Sequence, residues 1–133
     1  MNGAVDTPSR VESATAVKFG SAIRSSAVTV DGCTFVGNTA GSGFAVCPDT
    51  GKAGKGGALC LISCTGSVEN SKFILNTTGT GVACGGNFEG FGAAVFSDGP
   101  LSVANSLFYS NSVAATNSNV GAVSGSGVTL SNC

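Results

Sequence analysis

The chain has 133 residues, 21 of them Gly, and a formal net charge of −1 from six basic and seven acidic side chains. Charged residues make up 10% of the chain, against about 25% in an average soluble domain, which argues against a helical bundle. The chain lacks the basic surface that nucleic acid binding requires. It contains no His, which excludes the usual Ser and Cys triads and any mechanism that needs a His base.

The sequence shows neither the pattern of a membrane-spanning helix nor, in its first thirty residues, that of a secretory leader. The longest apolar run, residues 58–62, is far shorter than the roughly 20 residues of a membrane-spanning helix. The first thirty residues show no basic start followed by an apolar segment. We therefore predict no transmembrane segment in this chain, and expect either that a leader has been removed or that the chain was cut from a longer parent.

We predict that residues 1–19 are an N-terminal lead-in or cap, and residues 20–133 repeat a two-block pattern. The first block ends in Ala and an aliphatic residue, and its copies begin at Gly20, Gly56, Gly92 and Val120. The second block, which ends in Phe-x-x-Asn, occupies residues 28–38, 66–76 and 101–111, and a last copy at 128–133 stops before its Phe. The segments between copies vary in length, as loops on a repetitive scaffold do.

Stacking the copies places equivalent residues in columns about 4.8 Å apart, the spacing of neighbouring strands. Aliphatic residues alternate with hydroxyl residues, which is the period of a half-buried strand. An Asn column should form one corner, because Asn tolerates left-handed backbone angles and stacked amides bond to one another. The pattern predicts an all-β, right-handed parallel β-helix of about four coils. Its structural residues include Phe35, Phe73, Phe108, Asn38, Asn76 and Asn111.

The paired tetrapeptides resemble a known family. Gly56-Gly57-Ala58-Leu59 and Phe73-Ile74-Leu75-Asn76 are similar to the repeats of polymorphic outer membrane proteins of chlamydiae. They also resemble repeats of large extracellular β-helix proteins in the pectin-lyase-like superfamily. The resemblance covers the chain from about residue 20 onward. It implies a secreted or surface-displayed segment with an adhesive or scaffolding role.

Six cysteines in a Gly-rich chain of low charge indicate an oxidising compartment and disulfides, with all pairings open. Cys33 and Cys133 share a column about 14 Å apart, too far to bridge each other. We expect the variable loops to be clipped by disulfides that involve Cys47, Cys60, Cys64 and Cys84. Zinc is the competing interpretation, and only Cys60 and Cys64 are close enough in sequence to begin a site.

Asp31 and Glu69 fall in one column on adjacent coils, which would suit the two carboxylates of a glycoside-processing enzyme. The third coil has Ala104 there, and each acid precedes a turn residue, where a solvated carboxylate is ordinary. We therefore predict a protein that is not an enzyme, with no cofactor and no metal. A carbohydrate-active enzyme with Asp31 and Glu69 as catalytic residues is kept as an alternative.

Other side chains suggest binding surfaces. A row of hydroxyls would lie exposed at strand spacing and suggests ice binding as a second alternative, although Ser and Thr are also favoured outward residues on strands. Phe44 and Phe88 in the loops could contact a partner, or could cover the coil beneath them. Asn76-Thr77-Thr78 fits a glycosylation acceptor, but its Asn is a corner residue. The hydroxyl row consists of Thr29, Ser67, Ser102 and Thr129.

The sequence thus predicts an extracellular or cell-surface β-helix module with a structural or adhesive role. Its expected partners are proteins, through end-to-end or lateral assembly, or surface glycans. The module would be part of a larger assembly or of a longer chain.

Overall fold

The computed structural model describes residues 9–12, 27–40, 43–44, 55–79, 81–82, 91–114 and 121–133. The regular elements in these ranges are all short β-strands, so the predicted all-β class is confirmed. In chain order they are β1 (Ser9–Glu12), β2 (Ala27–Asp31), β3 (Thr34–Val36), β4 (Gly43–Phe44), β5 (Leu59–Leu61), β6 (Thr65–Glu69), β7 (Lys72–Ile74), β8 (Gly81–Val82), β9 (Val95–Ser97), β10 (Leu101–Ala104), β11 (Leu107–Tyr109), β12 (Val123–Gly125) and β13 (Val128–Ser131).

The strands pair in parallel, and neighbours within a sheet come from successive repeats. The largest sheet has the order β1-β2-β6-β10-β13. Two three-stranded sheets have the orders β3-β7-β11 and β5-β9-β12, and β4 pairs with β8. Parallel neighbours need a crossover between them, and the crossovers from β2 to β6, from β6 to β10 and from β10 to β13 pass through strands of the other sheets. Each repeat therefore adds one strand to every larger sheet in which it takes part, and not every repeat takes part in all three.

The register of the pairs matches the alignment of the repeats. Val30 is opposite Val68, and Val68 is opposite Val103, which is opposite Leu130. The three valines are buried. The Phe35 ring stacks on Phe73 with centroids 4.7 Å apart, and Phe73 stacks on Phe108 at 4.9 Å. The core is thus built of columns that cross from repeat to repeat. Ile23, which the alignment of the first blocks places at the start of one aliphatic column, lies outside the described residues.

Strand β1 lies earlier in the chain than the predicted start of the repeats. Its backbone pairs with β2, with Ser9 opposite Val28 and Glu12 opposite Asp31. Residues 9–12 therefore form the first strand of the five-stranded sheet. The predicted role of residues 1–19 as a cap stays a prediction.

The corners differ from the prediction in one respect. The expected left-handed backbone of the Asn column lies one residue earlier, at Gly37, Leu75 and Ser110, with φ between 51° and 63°. The Asn side chains are therefore free to point inward and bond between repeats. A second corner is left-handed in all four copies, at Gly32, Asn70, Asn105 and Asn132.

Gly57 lies at a close approach between the backbones of two repeats. A methyl group on Gly57 would overlap the carbonyl oxygen of Ala93 and would lie 2.8 Å from the backbone N and O of Thr77. Because backbone atoms cannot move aside as a side chain can, we expect Gly57→Ala to lower the free energy of unfolding by about 2 kcal/mol. Gly121 is the aligned residue of the last repeat, and its nearest such neighbour is 4.0 Å away. Chemical unfolding should therefore show little change for Gly121→Ala, and equal losses for both variants would contradict this packing.

Candidate functional site

The Asn column forms a hydrogen-bonded ladder through three repeats. The Asn38 amide donates to Asn76 Oδ1 at 2.9 Å, and the Asn76 amide donates to Asn111 Oδ1 at 2.9 Å. Each acceptor oxygen also receives the backbone N–H of the preceding Asn, at 3.0 Å. The second amide hydrogen reaches back to the carbonyl of Phe35 from Asn76, and to that of Phe73 from Asn111. The side chain of Asn76 is thus saturated.

This ladder answers the question of glycosylation at Asn76. The amide nitrogen that would carry the glycan is engaged with Phe35 and Asn111, and the residue has no exposed surface. A glycan has no room there in the folded chain. Asn76 is therefore a structural residue of the corner in this structure.

Asp31 and Glu69 are backbone partners on the adjacent strands β2 and β6. Asp31 is partly buried and Glu69 is exposed. Asp31 Oδ1 accepts a hydrogen bond of 2.9 Å from the Asn70 amide. The same row continues to Ala104. The fold therefore brings the two acids side by side at the C-terminal ends of strands β2 and β6, as the repeat alignment predicts.

The predicted hydroxyl row lies in register across the outer side of the same sheet, on strands β2, β6, β10 and β13. The first two hydroxyls contact each other, with Oγ of Ser67 3.4 Å from Oγ1 of Thr29. Ser102 and Thr129 are exposed. The row is flanked by the row that holds Asp31 and Glu69, so the outer side of this sheet is polar and carries charge.

The four described cysteines occupy two environments and are not joined by disulfides. Cys33 and Cys133 belong to one column with Ser71 and Ser106 between them, where each thiol donates to the carbonyl two residues earlier. Cys60 lies in β5, and Cys64 directly precedes β6. Neither Cys60 nor Cys64 forms a disulfide, so the predicted loop disulfides of these two residues are not formed in this structure. Cys47 and Cys84 lie outside the described residues, so a disulfide between them stays a prediction.

Burial raises the pKa of the Cys60 thiol above its ordinary value, and nearby Asp98 and Cys64 raise it further, while the charge of Lys55 lowers it. The Lys55 ammonium lies 4.5 Å from the Phe96 ring centroid and 5.4 Å from that of Phe91. A thiol with a raised pKa has less thiolate at a given pH and reacts more slowly with alkylating reagents.

We expect Lys55→Met to slow alkylation of Cys60 severalfold at mildly alkaline pH, because loss of the cation raises the thiol pKa further. Asp98→Asn should have the opposite effect. Peptide mass spectrometry after timed iodoacetamide treatment would measure the rate at Cys60 alone. Lys72→Met, which removes an exposed cation on another sheet, serves as the control. Faster labelling in Lys55→Met would contradict the assignment.

The predicted loop aromatics are only partly within the described residues. Phe44 is in β4, where its backbone pairs with Val82, and Phe88 lies outside the described residues. Phe91 is half-buried, and its ring lies 6.1 Å from that of the buried Phe96. Phe91 therefore contacts the chain's own surface, which agrees with the covering role considered for the loop aromatics.

The outer side of the β3-β7-β11 sheet carries an apolar surface that the sequence analysis missed. In each strand the central Phe points inward, so its two neighbours point outward. Leu75 follows β7 and is also exposed. The signal was present in the residues that flank each Phe, but strands of three residues are too short to show a clear period. We call this surface the apolar face and define it as Thr34, Val36, Lys72, Ile74, Leu75, Leu107 and Tyr109.

The described residues contain neither a metal-binding cluster nor a membrane-spanning helix. Among them, no group of three or more Cys, Asp or Glu side chains is arranged to hold a metal ion. None of the described segments forms a helix with the length and apolar character needed to cross a membrane. Comparison of the chain with protein family models, with curated proteins and with solved structures gave no match in any of the three.

Proposed function

We propose that the chain is a right-handed parallel β-helix of about four coils. The parallel sheets support this, because strands of successive repeats stack in the same sheets around shared aliphatic and aromatic columns. The right hand follows the general preference of parallel crossover connections. The resemblance of the Gly-Gly-Ala and Phe-x-x-Asn repeats to those of polymorphic outer membrane proteins supports the same architecture.

The proposed function is that of an extracellular or cell-surface structural and adhesive module, which binds protein or glycan partners as part of a larger assembly. The saturated Asn ladder is the observation that carries this proposal. It ties three successive repeats together by side-chain bonds that are buried between the first two repeats and partly buried at the third, and such a network makes a rigid platform. A rigid platform suits the display of a binding surface, since little ordering entropy remains to be lost on binding.

The acid pair supports a carbohydrate-active enzyme as a second candidate. Asp31 and Glu69 are neighbours across one strand pair, and paired carboxylates are the usual machinery of glycoside hydrolysis. The contact of Asp31 with Asn70 also fits a simple corner contact. Ice binding has weaker support, because a single hydroxyl row lies beside charged residues.

The function is tested by measuring the binding of the purified chain to arrays of extracellular proteins and glycans. We expect saturable binding that is unchanged in the double variant Asp31→Asn/Glu69→Gln. Release of reducing sugars or unsaturated products from polysaccharides, lost in that double variant, would instead establish the enzyme. Thermal hysteresis of freezing, lost on Thr129→Lys, would establish ice binding.

A further inference from the structure

The apolar face differs in kind from the outer side of the largest sheet. Four of its side chains are large, apolar and more than two-fifths exposed: Val36 at 42%, Leu75 at 56%, Leu107 at 51% and Tyr109 at 62%. The outer positions of β2, β6, β10 and β13 carry only Ala, Ser, Thr, Asp and Glu. Contiguous exposed apolar residues on one side of a molecule mark a contact surface more often than a solvated one.

Leu75 provides a second, independent observation. Its φ is +56°, in the left-handed region, where a side chain other than Gly or Asn costs about 1–2 kcal/mol. The aligned residue in the preceding repeat is Gly37, which adopts a φ of +63° without that cost. The following repeat has Ser110 at this corner, also with a left-handed φ of +51°, so the backbone conformation belongs to the repeat. What distinguishes Leu75 is that a large apolar side chain, 56% exposed, occupies a corner where the neighbouring repeats have Gly and Ser.

The charge of the apolar face limits what can cover it. Lys72 is its single charged residue, and it lies in the central strand β7. A second copy of the chain packed face to face would place two central strands opposite each other and would bring two lysines together without an acid between them. A glycan would contact a single aromatic ring, that of Tyr109, among aliphatic side chains that offer no hydrogen bonds to its hydroxyls. A protein segment with apolar side chains and a carboxylate complements both the surface and the charge.

We propose that the apolar face binds a partner protein through a segment that carries apolar side chains and at least one Asp or Glu. The carboxylate pairs with Lys72, and the apolar side chains pack on Leu75, Val36 and Tyr109. Leu75, at the corner that follows β7, gains on binding the burial that it lacks in the unbound chain. This inference rests on the proposed adhesive function and names the surface and the class of partner that serve it.

A phage-displayed library of random peptides, selected on the immobilised chain, tests the inference. The peptides selected by the wild-type chain are expected to combine apolar residues with Asp or Glu. Selection on Lys72→Glu should replace the acids by Lys or Arg. The double variant Leu75→Gly/Tyr109→Ser should weaken the selected peptides at least about tenfold, as loss of central contacts does.

The control is Leu130→Ser, because Leu130 is 54% exposed but belongs to an interior column, away from the apolar face. Its peptide affinities should equal those of the wild-type chain. Circular dichroism melts of all variants separate binding from folding, and Leu75→Gly should keep or raise the melting temperature because it relieves the strain.

Several results would overturn the inference. They are the absence of any selected peptide, equal affinity in the double variant, and a selection on Lys72→Glu that still favours acids. A wild-type dimer in sedimentation, or binding to phosphatidylserine vesicles, that the double variant loses would assign the face to a second copy or to a lipid surface. If array partners bind the double variant as they bind the wild-type chain, this inference fails and the proposed adhesive function stands.

Discussion

Replacing Asn76 by Ala is expected to lower the free energy of unfolding by about 4 kcal/mol. The substitution leaves two buried groups without their partner, the backbone N–H and the side-chain amide of Asn38. It also removes a donor to the Phe35 carbonyl and a donor to Asn111. Each buried polar group that loses its partner costs about 1–3 kcal/mol, so the losses add up even though the side chain is small. Urea unfolding monitored by circular dichroism would measure the change.

Asn105→Ala is the matched control for the ladder. Asn105 is exposed, and its side chain accepts a hydrogen bond from the Asn132 amide at 2.9 Å. Its φ is +50°, so alanine should cost only about 1 kcal/mol through the left-handed backbone. A loss below about 1 kcal/mol for Asn76→Ala, or equal losses in the two variants, would mean that the ladder does not stabilise the stack.

The second large effect is expected at Phe73. Its ring is fully buried between Phe35 and Phe108, and all three rings are nearly parallel, with interplanar angles of 4°. Phe73→Ala removes two stacking contacts and leaves a cavity within the aromatic column. Removal of a buried Phe costs about 3–5 kcal/mol, and we expect about 4 kcal/mol. Calorimetric melting would record the loss as a fall in the melting temperature.

Phe108→Ala tests whether the position in the column decides the effect. Phe108 stacks on one described ring and is half-buried, so its loss should be about 2 kcal/mol. An equal fall in melting temperature for the two variants would contradict a role for stacking on both sides of Phe73.

Much of the fold follows from spacing in the sequence. Once the copies are aligned, Val30, Val68, Val103 and Leu130 fall in one column, and the structure pairs them in that order. The same alignment brought Asp31 beside Glu69 and separated Cys33 from Cys133. Register is this predictable because a shift of one residue would turn every Val and Phe to the outside.

Three features of the structure could not be predicted from the aligned repeats, each for a physical reason. Strand β1 was missed because Val11 is its only apolar residue, and Ala16 stands five residues later, where three of the repeats have Phe. The left-handed corner residue was misplaced because Asn favours that backbone in general, whereas in this corner Asn38 points inward and Gly37 makes the bend. The apolar face was missed because a Phe between two apolar residues, as at Phe108, resembles a strand buried on both sides.

The spacing of the paired residues has a consequence for how such a chain can change over time. Asn38 and Asn76 are 38 residues apart, Asn76 and Asn111 are 35 apart, and Asn105 and Asn132 are 27 apart, yet all three steps place partners side by side. Insertions and deletions between the blocks therefore leave the stack in register. Duplication or loss of one whole repeat would likewise present each surviving strand with an equivalent neighbour. The gene can lengthen or shorten in two independent ways without a new core having to be selected.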